Sequence, residues 1–187
     1  MPPAAPRLVV RPVTPATWEA MVALFTARGS PHYCWCVPHR FADAPALSSE
    51  QKRERMGALV TKGTPVGVLA FAGKEAVGWC SIAPRETYVK LARSRTMPRV
   101  SDAPTWTVLC FFVRRDRRGT GVNRALLAGA VRHARSEGAV EIEGYPYDTA
   151  GISSTHRGRS EVFADAGFQQ EGKRWVWRRA SVRARRA

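Results

Sequence analysis

Thr105-Trp-Thr-Val-Leu-Cys-Phe-Phe-Val-Arg-Arg-Asp-Arg-Arg-Gly-Thr-Gly-Val-Asn-Arg-Ala-Leu-Leu127 passes from an apolar, β-prone run through a basic turn with two glycines into a helix-periodic segment. Trp106 to Val113 reads as a strand. Beyond the turn, Val122, Leu126, Ala130 and Ala134 recur at helical spacing, with Arg124, Arg132 and Arg135 on other faces. A strand, a glycine turn and a helix in this order leave the first helical N–H groups free, and the helix dipole adds partial positive charge there. Glycine lets the backbone approach a phosphate closely, and Arg117 and Arg118 add charge, so the unit is a candidate pyrophosphate cradle. Neither of two common cradles fits. A P-loop needs Gly-Lys-Ser/Thr where Gly121 is followed by Val122, and the dinucleotide fingerprint needs glycine where Arg124 stands.

The sequence before this element predicts an edge strand over Leu8–Val13, since Pro12 cannot donate to a ladder. Thr14 and Pro15 then open a helix carrying Trp18, Met21, Val22, Leu24 and Phe25, which stops near Gly29-Ser30-Pro31. Ser48 and Ser49 precede a second helix over Glu50–Lys62. Val66–Ala72 and Glu75–Ala83 read as a hairpin around Gly73-Lys74. Pro84–Pro104 is a long irregular connection, of the kind that is often functional in a compact domain.

Beyond it, Gly138 closes the long helix and Val140–Tyr147 forms a strand with Glu141, Glu143, Tyr145 and Tyr147 on one face. A polar loop over Asp148–Arg157, a short helix over Gly158–Asp165 and a closing strand over Arg174–Arg178 follow. Residues 1–7 and 181–187 are expected to be disordered tails of a single domain spanning 1–187.

Net charge is +15, carried mostly by arginine, with six arginines between Arg174 and Arg186. Such a field attracts polyanions and discourages polycationic acceptors unless local carboxylates override it. It also leaves open a basic nucleic-acid-binding module, although the arginines are scattered and no such motif is legible. No apolar run reaches membrane-spanning length, and Met1–Arg7 lacks a signal-peptide core, so a cytoplasmic location is expected.

The segment His32-Tyr-Cys-Trp-Cys-Val-Pro-His39 holds two of the four cysteines. One residue between Cys34 and Cys36 is too few for a structural zinc pair, and a Cys-x-Cys bridge is a strained ring, so no metal is expected. Either the loop packs with cysteine as a small hydrophobe, or it walls a substrate pocket.

Arg118-Gly119-Thr120-Gly121-Val122-Asn123 resembles the Arg/Gln-x-x-Gly-x-Gly/Ala loop of the GNAT superfamily of acyl-CoA-dependent N-acetyltransferases, with Asn123 in place of the small last residue. Ala166-Gly167-Phe168 is similar to the signature that closes the family's last helix, and the order of elements agrees from Leu8 onward. The resemblance implies a mixed α/β fold: a mostly antiparallel twisted sheet of six to seven strands flanked by about four helices. It implies acetyl-CoA as co-substrate and transfer of acetyl to a primary amine of a small molecule or peptide, with a homodimer possible. Arg118, Gly119, Thr120, Gly121, Val122 and Asn123 would then cradle the pyrophosphate. Phe111, Phe112 and Val113 would hold the pantetheine arm along the strand, and Cys34, Trp35 and Cys36 would wall the acceptor pocket.

The sequence departs from the family at the proton donor. The tyrosine often found four residues before the Gly-Phe glycine is Phe163, and the asparagine seven residues earlier is His156. Glu143 and Tyr145, on one strand face, are the candidates for base and acid, against ion pairing and packing as the structural readings. His156 is a further base candidate, whereas Cys110 in an apolar strand favours burial over a nucleophilic role. A non-catalytic acyl-CoA sensor is the alternative this departure motivates.

Overall fold

The computed structural model describes residues 7–148 and 155–179. The predicted tails, apart from Arg7, and 149–154 of the predicted polar loop lie outside them.

The decisive stretch folds as read: strand β4 covers Thr105–Val113 and helix α3 covers Val122–Ser136, with a 3-10 turn over Arg115–Arg117 between them. Before β4 come β1 (Leu8–Pro12), α1 (Trp18–Thr26), α2 (Ser49–Thr61), β2 (Val68–Ala72) and β3 (Glu75–Pro84). After α3 come β5 (Glu141–Gly144), α4 (Ser160–Asp165), β6 (Gln169–Glu171) and β7 (Arg174–Arg178). The strands form one seven-stranded sheet in the order β1-β2-β3-β4-β5-β7-β6. Every pair is antiparallel except β4 with β5. This is the mixed, mostly antiparallel sheet with four helices that the sequence implied.

Each face has its own core. Val122, Leu126, Ala130 and Ala134 of α3 pack with Val77, Val108, Phe111 and Phe163 on one side. Gly78 permits this contact, because a Cβ there would lie 2.7 Å from Val122 Cγ1. On the other side Met21 and Phe25 of α1 and Met56 and Val60 of α2 enclose Trp35, Phe71 and Trp79. Ser48 caps α2 by a reciprocal pair, Gln51 N–H to Ser48 Oγ (3.2 Å) and Ser48 N–H to Gln51 Oε1 (2.8 Å).

Three expectations change. The strand predicted over Val140–Tyr147 ends at Gly144, because Tyr145 turns into a small cluster with Tyr88, Leu91 and Leu109. The irregular connection is organised by 3-10 turns over Arg85–Thr87 and Val89–Arg93 that bury Arg85, Tyr88 and Leu91. The predicted α4 starts two residues late, after the left-handed Gly158.

Two irregularities prepare the site. Pairing of β3 with β4 shifts between Ser81↔Cys110 and Ile82↔Val108, leaving Leu109 as an extra, bulged residue. The parallel β4–β5 pairing runs from Thr105↔Glu141 to Val108↔Gly144 and stops. From Leu109 to Val113, β4 therefore has no strand partner on that side.

Candidate active site

A cleft of about 980 Å³ lies along this open stretch of β4. At one end it meets the N-terminus of α3, and at the other the segment from Pro31 to His39. Leu109 through Val113 line its length.

Gly119 and Gly121 take φ of 74° and 81° to turn the chain from strand to helix, a conformation in which a side chain is strained. The first helical N–H with an intrahelical acceptor is that of Ala125, onto Gly121 O at 3.0 Å. The N–H groups of Val122, Asn123 and Arg124 precede it and have no helical partner. Arg118 is braced by its Nε–H to Val113 O (3.3 Å), while Arg117, Arg118, Arg124 and Arg159 line this end. Arg117 Nε has no hydrogen-bond acceptor and lies 3.6 Å from Asp116 Oδ2, and Asn123 Oδ1 is buried without a donor, among the described residues. Free amides, arginines and the unsatisfied Asn123 carbonyl fit a polyanionic ligand with its own amide groups, as coenzyme A has.

Of the predicted cradle residues, Arg118, Gly119, Gly121, Val122 and Asn123 line the cleft, as do Phe111, Phe112 and Val113. The Thr120 hydroxyl instead donates to Arg117 O at 2.7 Å, tying the loop to itself. The enclosed Asn123 Oδ1 yields a direct expectation. Removing an unsatisfied buried acceptor in Asn123→Ala should raise the melting temperature of the ligand-free protein by about 2–4 °C, on the order of 1 kcal/mol, by calorimetry.

The predicted acceptor wall divides. Cys34 and Cys36 line the cleft, and Trp35 does not. Trp35 and Cys36 both have left-handed backbone, φ 46° and 51°, which reverses the side-chain direction expected from an extended loop. The indole therefore enters the α1–α2 core, 1% exposed, stacked on Phe25 at 5.2 Å and donating to Ser49 Oγ at 3.3 Å. Trp35 is a core residue. Cys36 Sγ accepts from Trp79 Nε1 at 3.1 Å. Cys34 is raised by its hydrogen bond to Cys36 and by burial, and Cys36 by its hydrogen bond to Cys110 and by burial, so both stay thiols. Cys110 is half-buried, packed against the α1–α2 core and also lining the cleft. Among the described residues no group of three or more His, Cys, Asp or Glu could hold a metal ion.

The predicted base and acid are elsewhere. Glu143 is 1% exposed and does not line the cleft. It accepts from Arg85 Nη1, from Thr107 Oγ1 at 2.8 Å, from Arg174 Nε at 2.7 Å and from Tyr145 OH at 3.3 Å. Four donors, two of them guanidinium groups, occupy its oxygens, so it sits in an interior ion-pair network rather than facing the cleft. Tyr145 shares this interior, pushed up to about 12 by burial and by the Glu143 charge. Phe163 is fully buried against Phe111 and Phe168.

Polar groups also line the Pro31–His39 end: His156, which the sequence offered as a base candidate, His39 from the cysteine-containing segment, and Ser81 and Tyr88, which carried no assigned role. Burial, then the charges of Arg157, Lys90, His156 and Arg40, holds the His39 imidazole down at about 4. Ser81 and Tyr88 are joined at 3.0 Å, with the Arg40 guanidinium behind both. Ser81 and Tyr88 had only the weak signal of a long connection between strands that begins just after Ser81 and contains Tyr88.

Comparison with known proteins agrees with this geometry. Residues 21–153 match the acetyltransferase (GNAT) family. No curated protein matches the chain at a significant level. Among solved structures, the aminoglycoside N-acetyltransferase AAC(6')-Iy in complex with CoA is 18% identical, over 91% of this chain and 93% of that one, with a TM-score of 0.56. An acetyltransferase from Thermus thermophilus is 19% identical over 94% and 99%, TM-score 0.52. An N-acetyltransferase from Staphylococcus aureus is 10% identical over 92% and 98%, TM-score 0.53. Identities this low are likenesses of fold. The family match spans more than half of the sequence, and the chain belongs to the GNAT acetyltransferase family. Membership places it among acyltransferases that draw on acetyl-CoA. Among the described residues no helix is long and apolar enough to cross a membrane.

Proposed function

We propose that this chain moves acetyl from acetyl-CoA to an amine of a small molecule or peptide bound at the Pro31–His39 end of the cleft. The observation that carries the reading is the parting of β4 from β5 after Val108↔Gly144, directly beside the uncapped N-terminus of α3. Gly119, Thr120, Gly121, Val122 and Asn123 would meet the pyrophosphate through backbone N–H groups, with Arg118 adding charge. Phe111, Phe112 and Val113 would hold the pantetheine arm through their unpaired backbone edge.

Bound acetyl-CoA supplies an acyl group already activated on sulfur. The remaining demands fall on the protein: fixed donors near developing negative charge, and a group to accept the amine's proton. From the bulged Leu109 onward β4 lines the cleft where β5 no longer pairs with it. His39 lines this end and is neutral at pH 7, so its ring can accept a hydrogen bond there, but burial and the surrounding positive charge make it a weak base. The position of Phe163 is filled by packing and offers no hydroxyl. A thiol with an ordinary pKa of about 8.5 is a tolerable leaving group near neutrality without an obligatory acid.

Acetyl-CoA at about 100 times its dissociation constant should stabilise the protein by roughly 2.7 kcal/mol, a melting shift of roughly 5–10 °C. The shift should survive about 0.15 M salt, where long-range attraction is screened beyond about 8 Å. A protein whose melting is indifferent to acetyl-CoA would lack the cradle described above.

A further inference from the structure

We infer that the acceptor of this enzyme carries an anionic group, a carboxylate or a phosphate, in addition to its amine, and that Ser81 and Tyr88 with Arg40 behind them bind it. The inference rests on the acetyl-transfer reading and narrows its substrate class.

Consider first what the cleft lacks. The sequence holds fifteen aspartates and glutamates, and all of them fall within the described residues. Glu161 is the one that lines the cleft, at the α4 side, beside Arg159 at 3.5 Å. Glu141 and Glu143 are taken by Arg174 and Arg85 in the interior. Asp116 and Glu75 pair with Arg114, Asp43 with Arg55, and Asp165 with Arg124. No side-chain carboxylate therefore faces the acceptor end, so local charge does not override the positive field there. A polycationic acceptor would meet Arg40, Arg157 and Lys90 around His39 with no counter-charge.

Consider next what the cleft has in excess. Arg40 is 3% exposed, and no carboxylate lies within ion-pair distance of it among the described residues. Its Nη2 donates to Val66 O at 2.8 Å, Tyr88 OH at 3.0 Å and Ser81 Oγ at 3.4 Å, and its Nη1 to Thr87 Oγ1 at 3.3 Å. The guanidinium also lies 4.3 Å from the centre of the Tyr88 ring. A buried cation held only by neutral groups is incompletely compensated. Ser81 and Tyr88 both accept from Arg40, which can accept nothing in return. Their two hydroxyl hydrogens share one mutual contact at 3.0 Å, so one O–H is left without an acceptor among the described residues. Both residues line the cleft. A spare hydroxyl donor backed by a buried positive charge is a site for an anion.

The test is a panel of amines matched except for charge, assayed with acetyl-CoA in about 0.15 M salt by quantifying the acetylated product. It pairs amino acids with their amides, phosphoethanolamine with ethanolamine, and adds spermidine and an aminoglycoside. The expected result is a kcat/KM about tenfold or more higher for the anionic member of at least one pair, as a charge-assisted hydrogen bond predicts. Which pair responds separates carboxylate from phosphate. In the Ser81→Ala/Tyr88→Phe double variant the preference should collapse through KM for the acceptor, with the acetyl-CoA melting shift retained. Arg40→Met should do the same where it folds, and the double variant decides the matter where it does not. Equal or better use of neutral or polycationic amines overturns the inference, as does a preference untouched in the double variant. Acetyl-CoA binding without acetylation of any anionic amine also overturns it, as does activation by an anionic acyl donor such as succinyl-CoA with neutral amines. Loss of the acetyl-CoA shift in the unmodified protein would instead sink the transferase reading underneath.

Discussion

Gly121→Glu is expected to remove the acetyl-CoA melting shift and to weaken cofactor binding by at least about a hundredfold, because two unit charges near 4 Å interact with about 4 kcal/mol at a surface-like dielectric. Gly121 is the residue before α3, with φ 81°, and a Cβ built on it meets nothing within 4 Å. The side chain would thus project into the space beside the free N–H groups without disturbing the packed protein. Its own carboxylate would accept from those amides and occupy the anion site from within. The ligand-free protein should lose only the left-handed strain, roughly 1–2 kcal/mol and a few degrees of melting temperature. Gly121→Ala, which carries the strain without the charge, separates the two effects and should weaken binding less. Isothermal titration of acetyl-CoA into the three proteins gives the comparison, and an unchanged affinity in the glutamate variant would remove the α3 terminus from the cofactor site.

That the strand, glycine turn and helix were legible while the surroundings of Glu143 and Trp35 were not has a physical reason. A strand, a glycine turn and a helix are local, and the free amides follow from helix geometry within the same twenty residues. The overall sheet followed from similar local signals, with one omission. β6, Gln169–Glu171, is exposed at every residue and has no apolar pattern to reveal it.

Alternation put Glu143 and Tyr145 on one strand face; the strand ends at Gly144, though Tyr145 OH still reaches Glu143, and period-two alternation says nothing about what such a face meets. The partners of Glu143 are Arg85, 58 residues before it, and Arg174, 31 residues after it. A cue existed in Thr105 and Thr107, whose hydroxyls reach Glu141 and Glu143 in register across the parallel pair. Two polar residues alternating in each of two otherwise apolar strands mark a shared polar interior. Trp35 was misplaced for a different reason, since two consecutive left-handed residues without glycine are not foreseeable from composition.

The assignment of Glu143 to structure has the second large consequence. Glu143→Gln should destabilise the protein by about 3 kcal/mol or more, because removing one partner of a buried ion pair strands the other. Here Arg85, 5% exposed at the side chain, would lose the one carboxylate it pairs with among the described residues, and Arg174, 7% exposed, would be left with Glu141, itself shared with Arg178, and the exposed Glu171. On a chain of this length that is a fall of roughly 6–12 °C in melting temperature. Activity per folded molecule, measured well below the new midpoint with saturating acetyl-CoA, should stay within a few fold. A general base would behave the opposite way: kcat would drop about 10²–10⁴-fold with melting nearly unchanged. Arg85→Met, alone and combined with Glu143→Gln, completes the argument. The double variant should lose less stability than the sum of the single ones, since the charge stranded by each change is removed by the other. Additive losses with an inactive, well-folded Glu143→Gln would return the carboxylate to the reaction.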